Sequence, residues 1–239
     1  MFKKVLIVLL AVVVGFLAYA ATRPDSYHVE RTTKVDAPAR VVYDQIEDFK
    51  AWPAWSPWEK RDPQMKKTYE GPPRGVGASY AWQGNDKVGE GKMTIVAAEP
   101  PAELKLRLEF IKPFASVAET TFHVTPAGDT ASSVIWTMDG KNNLMGKVFG
   151  IFMDMDKMIG GDFDLGLSNL RATAEAEAAK KKADDEAAAK AKTDADAAAA
   201  AEAAKTKAAA ETAGAAAASK GKGKVKPKPA PKPAIKRKR

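Results

Sequence analysis

Apolar residues follow three rhythms along the 239-residue chain, and each predicts a different kind of element. The first is continuous. Met1-Phe2-Lys3-Lys4 precedes an uncharged run from Val5 to Ala21, just long enough for a helix to cross a hydrocarbon core of ~30 Å. Ala18-Tyr19-Ala20 also fits the small-x-small pattern of a signal-peptide cleavage site. Residues 1–22 therefore predict either a retained transmembrane anchor or a removed leader. In both cases Lys3 and Lys4 favour the cytoplasmic side, so the rest of the chain is expected to be exported. The expected location is a single pass through the cell membrane with the folded part on the periplasmic side, or the periplasm itself if the leader is cut.

The second rhythm is alternation. Tyr27 to Val35 reads as a strand stopped by Asp36-Ala37-Pro38. That tripeptide is suited to capping a helix carrying Val41, Val42, Ile46 and Phe49 at helical spacing. Trp52-Pro53-Ala54-Trp55-Ser56-Pro57-Trp58 cannot continue it and reads as a loop. Five further segments alternate: Gly77 to Gln83, Lys92 to Ala98, Glu103 to Phe110, Ser116 to Thr125 and Ser132 to Asp139. In the clearest, Leu104, Leu106, Leu108 and Phe110 oppose Lys105, Arg107 and Glu109. In Lys92 to Ala98, Met93, Ile95 and Ala97 share a side. Such alternation predicts an antiparallel sheet with one covered and one wet face.

The third rhythm is helical. Leu144 to Leu170 places Val148, Phe149, Phe152, Met155, Ile159, Phe163 and Leu167 at three- and four-residue steps, predicting one long helix over the dry face. A strand, a short helix, a run of strands and a long terminal helix make an α+β helix-grip fold across residues 26–175.

Within that span the chain resembles the START-like, or SRPBCC, superfamily, in its polyketide cyclase/dehydrase-like branch with an N-terminal membrane segment. The resemblance is carried by Val35-Asp36-Ala37-Pro38-Ala39-Arg40-Val41-Val42-Tyr43, the Trp52–Trp58 loop with Glu59 and Lys60, and Gly75-Val76-Gly77-Ala78. Val88-Gly89-Glu90-Gly91-Lys92-Met93 and Phe163-Asp164-Leu165-Gly166-Leu167-Ser168-Asn169-Leu170 add to it. It implies a curved sheet wrapped over the terminal helix, with a cavity between them.

By parity Trp82, Leu106, Phe122, Trp136 and Met138 face the helix, and Phe149, Phe152 and Met153 stand opposite. Either these residues fill a core or they line a pocket, where soft and aromatic groups suit an apolar ligand. Trp52, Trp55 and Trp58 either pin their loop to the sheet edge or gate the mouth and touch lipid headgroups. Support for catalysis is thin. His123 points to the wet face, His28 lies near the membrane end of the first strand, and Glu90 and Asp139 read as surface or strand-end carboxylates. No metal-ligand spacing or cofactor motif occurs, and the absence of cysteine excludes disulfides and thiol chemistry.

Charge changes the picture only at the far end. The last 20 residues, Lys220 to Arg239, carry ten basic side chains and no acid, which accounts for the whole formal +8. Before them, residues 176–213 form an arm of Ala, Glu, Asp, Lys and Thr that predicts a solvated helix continuing the domain's last one. Without large apolar a and d positions it is no coiled coil. Gly214 is expected to end it, leaving residues 214–239 as a disordered tail. That tail resembles those of linker histones. Behind an export signal it would meet anionic lipid or envelope polymer, and nucleic acid only if cytoplasmic. The expectation is a membrane-tethered, non-catalytic domain binding a hydrophobic small molecule or lipid. The alternatives are a cyclase/dehydrase-type enzyme and an interaction protein acting through its basic tail.

Overall fold

A computed structural model describes residues 2–220. The chain divides into two compact units, residues 1–182 and 183–239. The basic tip from Gly221 on lies outside the described residues.

The first unit opens with α1 (Phe2–Ala21). β1 (Ser26–Val35) and α2 (Ala39–Glu47) follow, then a 3-10 turn at Trp52–Ala54. Next come β2 (Lys66–Glu70), β3 (Ser79–Gln83), β4 (Glu90–Glu99), β5 (Glu103–Lys112), β6 (Ser116–Pro126) and β7 (Ser132–Lys141). The helices α3 (Leu144–Phe152) and α4 (Met155–Lys220) complete the order. All seven strands form one antiparallel sheet in the order β1-β7-β6-β5-β4-β3-β2. The first strand thus pairs with the last, and the remainder is a meander of adjacent hairpins.

Register sets the covered face as rows across the sheet. One runs Val29–Met138–Thr120–Leu106–Ile95 and the next Arg31–Trp136–Phe122–Leu104. A third, Tyr27–Gly140–Ala118–Leu108–Met93–Tyr80–Tyr69, crosses all seven strands. Over this face lie Phe163, Leu167, Leu170 and Ala174 of α4 and Val42, Tyr43 and Ile46 of α2, all buried. Each large apolar side chain removed from water here contributes roughly 1.5–3 kcal/mol. The Tyr43 hydroxyl donates to the Glu103 carbonyl at 3.1 Å, and burial pushes its pKa up to about 12.

Five local expectations are corrected. α2 is preceded by Pro38 and has no side-chain cap; the Asp36 N–H instead donates to the Glu175 carboxylate at 3.0 Å, joining the strand end to α4. β2 was not foreseen, because Lys66, Lys67 and Glu70 leave five mostly exposed edge residues without alternation. In β4 the register shifts between Ile95 and Ala97, so Ala98 rather than Ala97 packs against the core; an extra residue in a strand reverses parity beyond it. The single helix expected from Leu144 to Leu170 is two, parted at Met153, which is extended (φ −126°, ψ 124°). Asp154 then starts α4 afresh, its carboxylate accepting from the Lys157 N–H at 3.2 Å. Finally, Gly214 does not end the helix, which continues to Lys220; one glycine among alanines costs only about 1 kcal/mol.

In the second unit the described residues are the distal part of α4. Every residue from 183 to 212 is exposed, consistent with a helix held by alanine propensity rather than by packing.

Candidate ligand-binding cleft

Beneath α4 the sheet face is filled by rings. Trp136 stacks on Phe163 with centroids 3.9 Å apart and planes 8° apart, and on Phe122 at 4.7 Å. The loop tryptophans press in from the side: Trp55 meets Trp136 edge-on at 5.7 Å, and Trp58 does so at 5.9 Å. Trp52 and Trp55 are buried, and their indole N–H groups donate to the carbonyls of Ile46 and Gln45, each at 3.1 Å. Gly166 lets α4 sit this low, since a Cβ there would lie 2.8 Å from the Trp136 ring. At this level the hollow expected under the terminal helix is occupied by side chains.

Open space lies instead at the α1 end of the domain. A cleft of about 490 Å³ is bounded by residues 23–28, by Asn142 and α3, and by the first residues of α4. Its lining is mixed: Tyr27, Ile151, Phe152, Met153 and Met155 are apolar, and Arg23, Ser26, His28, Asn142, Lys147, Asp154 and Asp156 supply polar and charged groups.

Each wall has a local cause. Tyr27 lies over Gly140, where a Cβ would come within 2.3 Å of its ring, and its hydroxyl touches the Met138 sulfur at 3.9 Å. Burial, then the nearby Asp139 charge, raises its pKa. α3 is capped by Asn143, whose side chain accepts from the Gly146 N–H at 2.8 Å. It is tied to α1 by the Lys147 ammonium, which donates to the Ala21 carbonyl at 3.1 Å and pairs with Asp25. The start of α4 is clamped by Arg31, which pairs with Asp156 at 2.9 Å and Asp164 at 3.2 Å. This clamp needs Gly160, whose Cβ would overlap the guanidinium. At the rim His28 Nδ1 lies 2.7 Å from the Asp139 carboxylate, and that hydrogen bond raises the imidazole pKa.

The eight residues expected at the site divide. Leu106, Phe122, Trp136 and Met138 are buried together on the sheet face, with Trp82 half-buried over Gly91 farther along it. Phe152 and Met153 line the cleft. Phe149 turns away towards Phe114, 5.3 Å between centroids. None of the three on the α3 side faces Trp136 across the core, because the break at Met153 sends α3 aside as a separate element.

Sequence reasoning missed Tyr27, whose role depends on Gly140 standing opposite it, a pairing visible only once register is known. It also missed a buried carboxylate. Glu59 accepts from the Tyr80 hydroxyl at 3.0 Å and pairs with Lys67, and burial with the adjacent Glu59 charge holds the Tyr80 pKa well above its ordinary value. Of the carboxylates singled out from sequence, Glu90 pairs with Lys112 at 2.8 Å at a strand end, and Asp139 is exposed beside His28. His123 lies on the outer face, 3.2 Å from Glu103.

A seven-stranded curved antiparallel sheet with a long C-terminal helix defines the helix-grip class. The family model described as polyketide cyclase / dehydrase and lipid transport matches residues 26–175, and the chain belongs to that family. Among solved structures it is similar to a Thermobifida fusca protein (24% identity, TM-score 0.47, 62% of this chain and 92% of that one). It is also similar to norcoclaurine synthase from Thalictrum flavum, solved with dopamine and hydroxybenzaldehyde (14%, TM-score 0.45, 62% and 86%). A third is major latex-like protein 151 from Panax ginseng (15%, TM-score 0.44, 65% and 99%). Comparison with curated proteins finds no match.

Proposed function

We propose that this chain is a membrane-tethered domain that holds an apolar small molecule or lipid in the cleft between the α1–β1 linker, β1, α3 and the start of α4, without chemistry on it. The observation that carries the reading is an open cleft of about 490 Å³, of mixed polar and apolar lining with Tyr27, Ile151, Phe152, Met153 and Met155 as its apolar part, near the end of a helix uncharged from Val5 to Ala21. Small-molecule sites span roughly 300–1,000 Å³ with apolar walls and a few polar groups. Lipid transport in the family's description supports the same ligand class. Behind Tyr27, Met138, Leu106, Phe122 and Trp136 are packed into the core, so of the expected ligand contacts Phe152 and Met153 are the ones this cleft offers. The basic tip, Lys220–Arg239, serves as a contact for anionic lipid or polymer.

Photo-crosslinking tests the site. The full chain in nanodiscs is exposed to a diazirine-bearing fatty acid and the adducts are mapped by mass spectrometry. Gly150 borders the cleft, and a Cβ there meets nothing within 4 Å, so Gly150→Leu fills the space without disrupting α3. Adducts at Tyr27 and Met155 that fall about tenfold in that variant support the reading, a change equivalent to 1.4 kcal/mol of binding. Adducts confined to α1, equal in both proteins, contradict it.

One observation favours a catalytic reading, the buried Glu59 carboxylate hydrogen-bonded to Tyr80. A carboxylate withdrawn from water beside a phenol can exchange a proton with it, although Lys67 already neutralises it. Under this reading a bound molecule is recovered with altered mass, and Glu59→Gln returns it unchanged. Under the binding reading both proteins return it unchanged.

A further inference from the structure

α3 turns apolar side chains outward. Leu144 and Met145 are about half exposed, and Phe152 is 74% exposed. They are joined by Ile111 at the end of β5 and by Phe114 (58% exposed) in the β5–β6 turn, where Phe114 leans on Phe149. The only charge in α3, Lys147, is turned to Ala21 and Asp25. An exposed face of this kind on a short amphipathic helix fits the headgroup–acyl boundary of a bilayer, where aromatic side chains settle.

Chain geometry names the occupant. The uncharged part of α1, Val5–Ala21, reaches about 25 Å at 1.5 Å per residue, so a ~30 Å hydrocarbon core takes up all of it as far as Ala21. Phe16 then lies about 7.5 Å along the helix inside its Ala21 end. Its ring is 6.0 Å from that of Phe152. A folded domain whose helix touches α1 at that depth cannot stand clear of the membrane, because only Thr22–Asp25 separate α1 from β1.

Resting on the reading of α1 as a retained span, we propose that α3 and the β5–β6 turn form a second, interfacial membrane contact, laid into the leaflet beside α1. The mouth of the cleft, which Phe152 and Met153 border, then opens into lipid rather than water. The ligand class narrows to a molecule already resident in the bilayer, entering sideways without crossing solvent.

The chain has no cysteine, so single-cysteine variants of the full chain report depth directly. Phe114→Cys and Met145→Cys probe the contact. Val12→Cys probes the span, and Asp129→Cys, in the β6–β7 turn at the opposite end of the sheet, is the control. Each is labelled with an environment-sensitive fluorophore and reconstituted into phosphatidylcholine/phosphatidylglycerol vesicles whose acyl chains carry a nitroxide quencher. The proposal expects Val12, Phe114 and Met145 to be quenched about twofold or more and Asp129 to be unaffected, as membrane insertion of that face requires. Quenching at Val12 alone leaves the span standing and overturns the interfacial contact. No quenching at Val12 overturns the span and, with it, this proposal. Equal quenching at all four sites overturns a contact specific to this face.

Discussion

At the residue scale, the cleft depends on one missing side chain. Gly140 gives Tyr27 its seat, and the ring closes the cleft from the sheet interior. Gly140→Ala is expected to unseat Tyr27 and destabilise the fold by about 1–3 kcal/mol, as overpacking does, read from urea denaturation; an unchanged midpoint would show that the ring has room to spare. His28 reports on the rim. Its hydrogen bond to Asp139 raises its pKa above the ordinary 6.5, so the pair adds stability below about pH 6.5 and loses it as pH rises through the folded value. Both side chains are more than half exposed, so solvent screening keeps the contribution small. NMR titration should find the His28 pKa elevated, and Asp139→Asn should bring it back towards 6.5. The covered face of the sheet was legible because alternation fixes which side chains share a face: Leu106, Phe122, Trp136 and Met138 needed only parity to be placed there, in the core rather than in the cleft. Glu59, Tyr27 and Gly140 were not legible, because their meaning lies in cross-strand and loop neighbours that no local pattern encodes.

At the element scale, the strands were readable and the junctions were not. Helical spacing runs unbroken through Met153, since the period of Phe149, Phe152 and Met155 survives a kink that turns the chain. The available signal was Asp154, a good N-cap residue three before the N–H it accepts from. Asp154→Ala should cost about 1 kcal/mol in thermal unfolding and loosen α3, seen as faster amide exchange across 144–152. No change in exchange would mean that the Lys147–Asp25 tie alone holds α3 in place. β2 escaped for the opposite reason: an edge strand needs little apolar content when one face is wet and one side unpaired. The run of exposed charge and alanine beyond residue 182 was legible from composition, because nothing has to pack against it.

At the scale of the whole molecule, each segment has its own physical basis. Burial holds the grip domain together, alanine propensity holds the arm, and charge belongs to the tip. Removing residues 221–239 should leave unfolding of the domain unchanged and weaken co-sedimentation with anionic vesicles, with the lost fraction being the salt-sensitive part. Equal sedimentation with and without the tip would leave the anionic contact without a basis. The family's fold hosts more than one function, so the central claim rests on the cleft and not on the fold. Native mass spectrometry of the full chain, purified in mild detergent, tests that claim most directly. The account predicts an apolar molecule riding on the wild-type protein and lost from Gly150→Leu. Bare wild-type protein, with no hydrophobe retained, would contradict it.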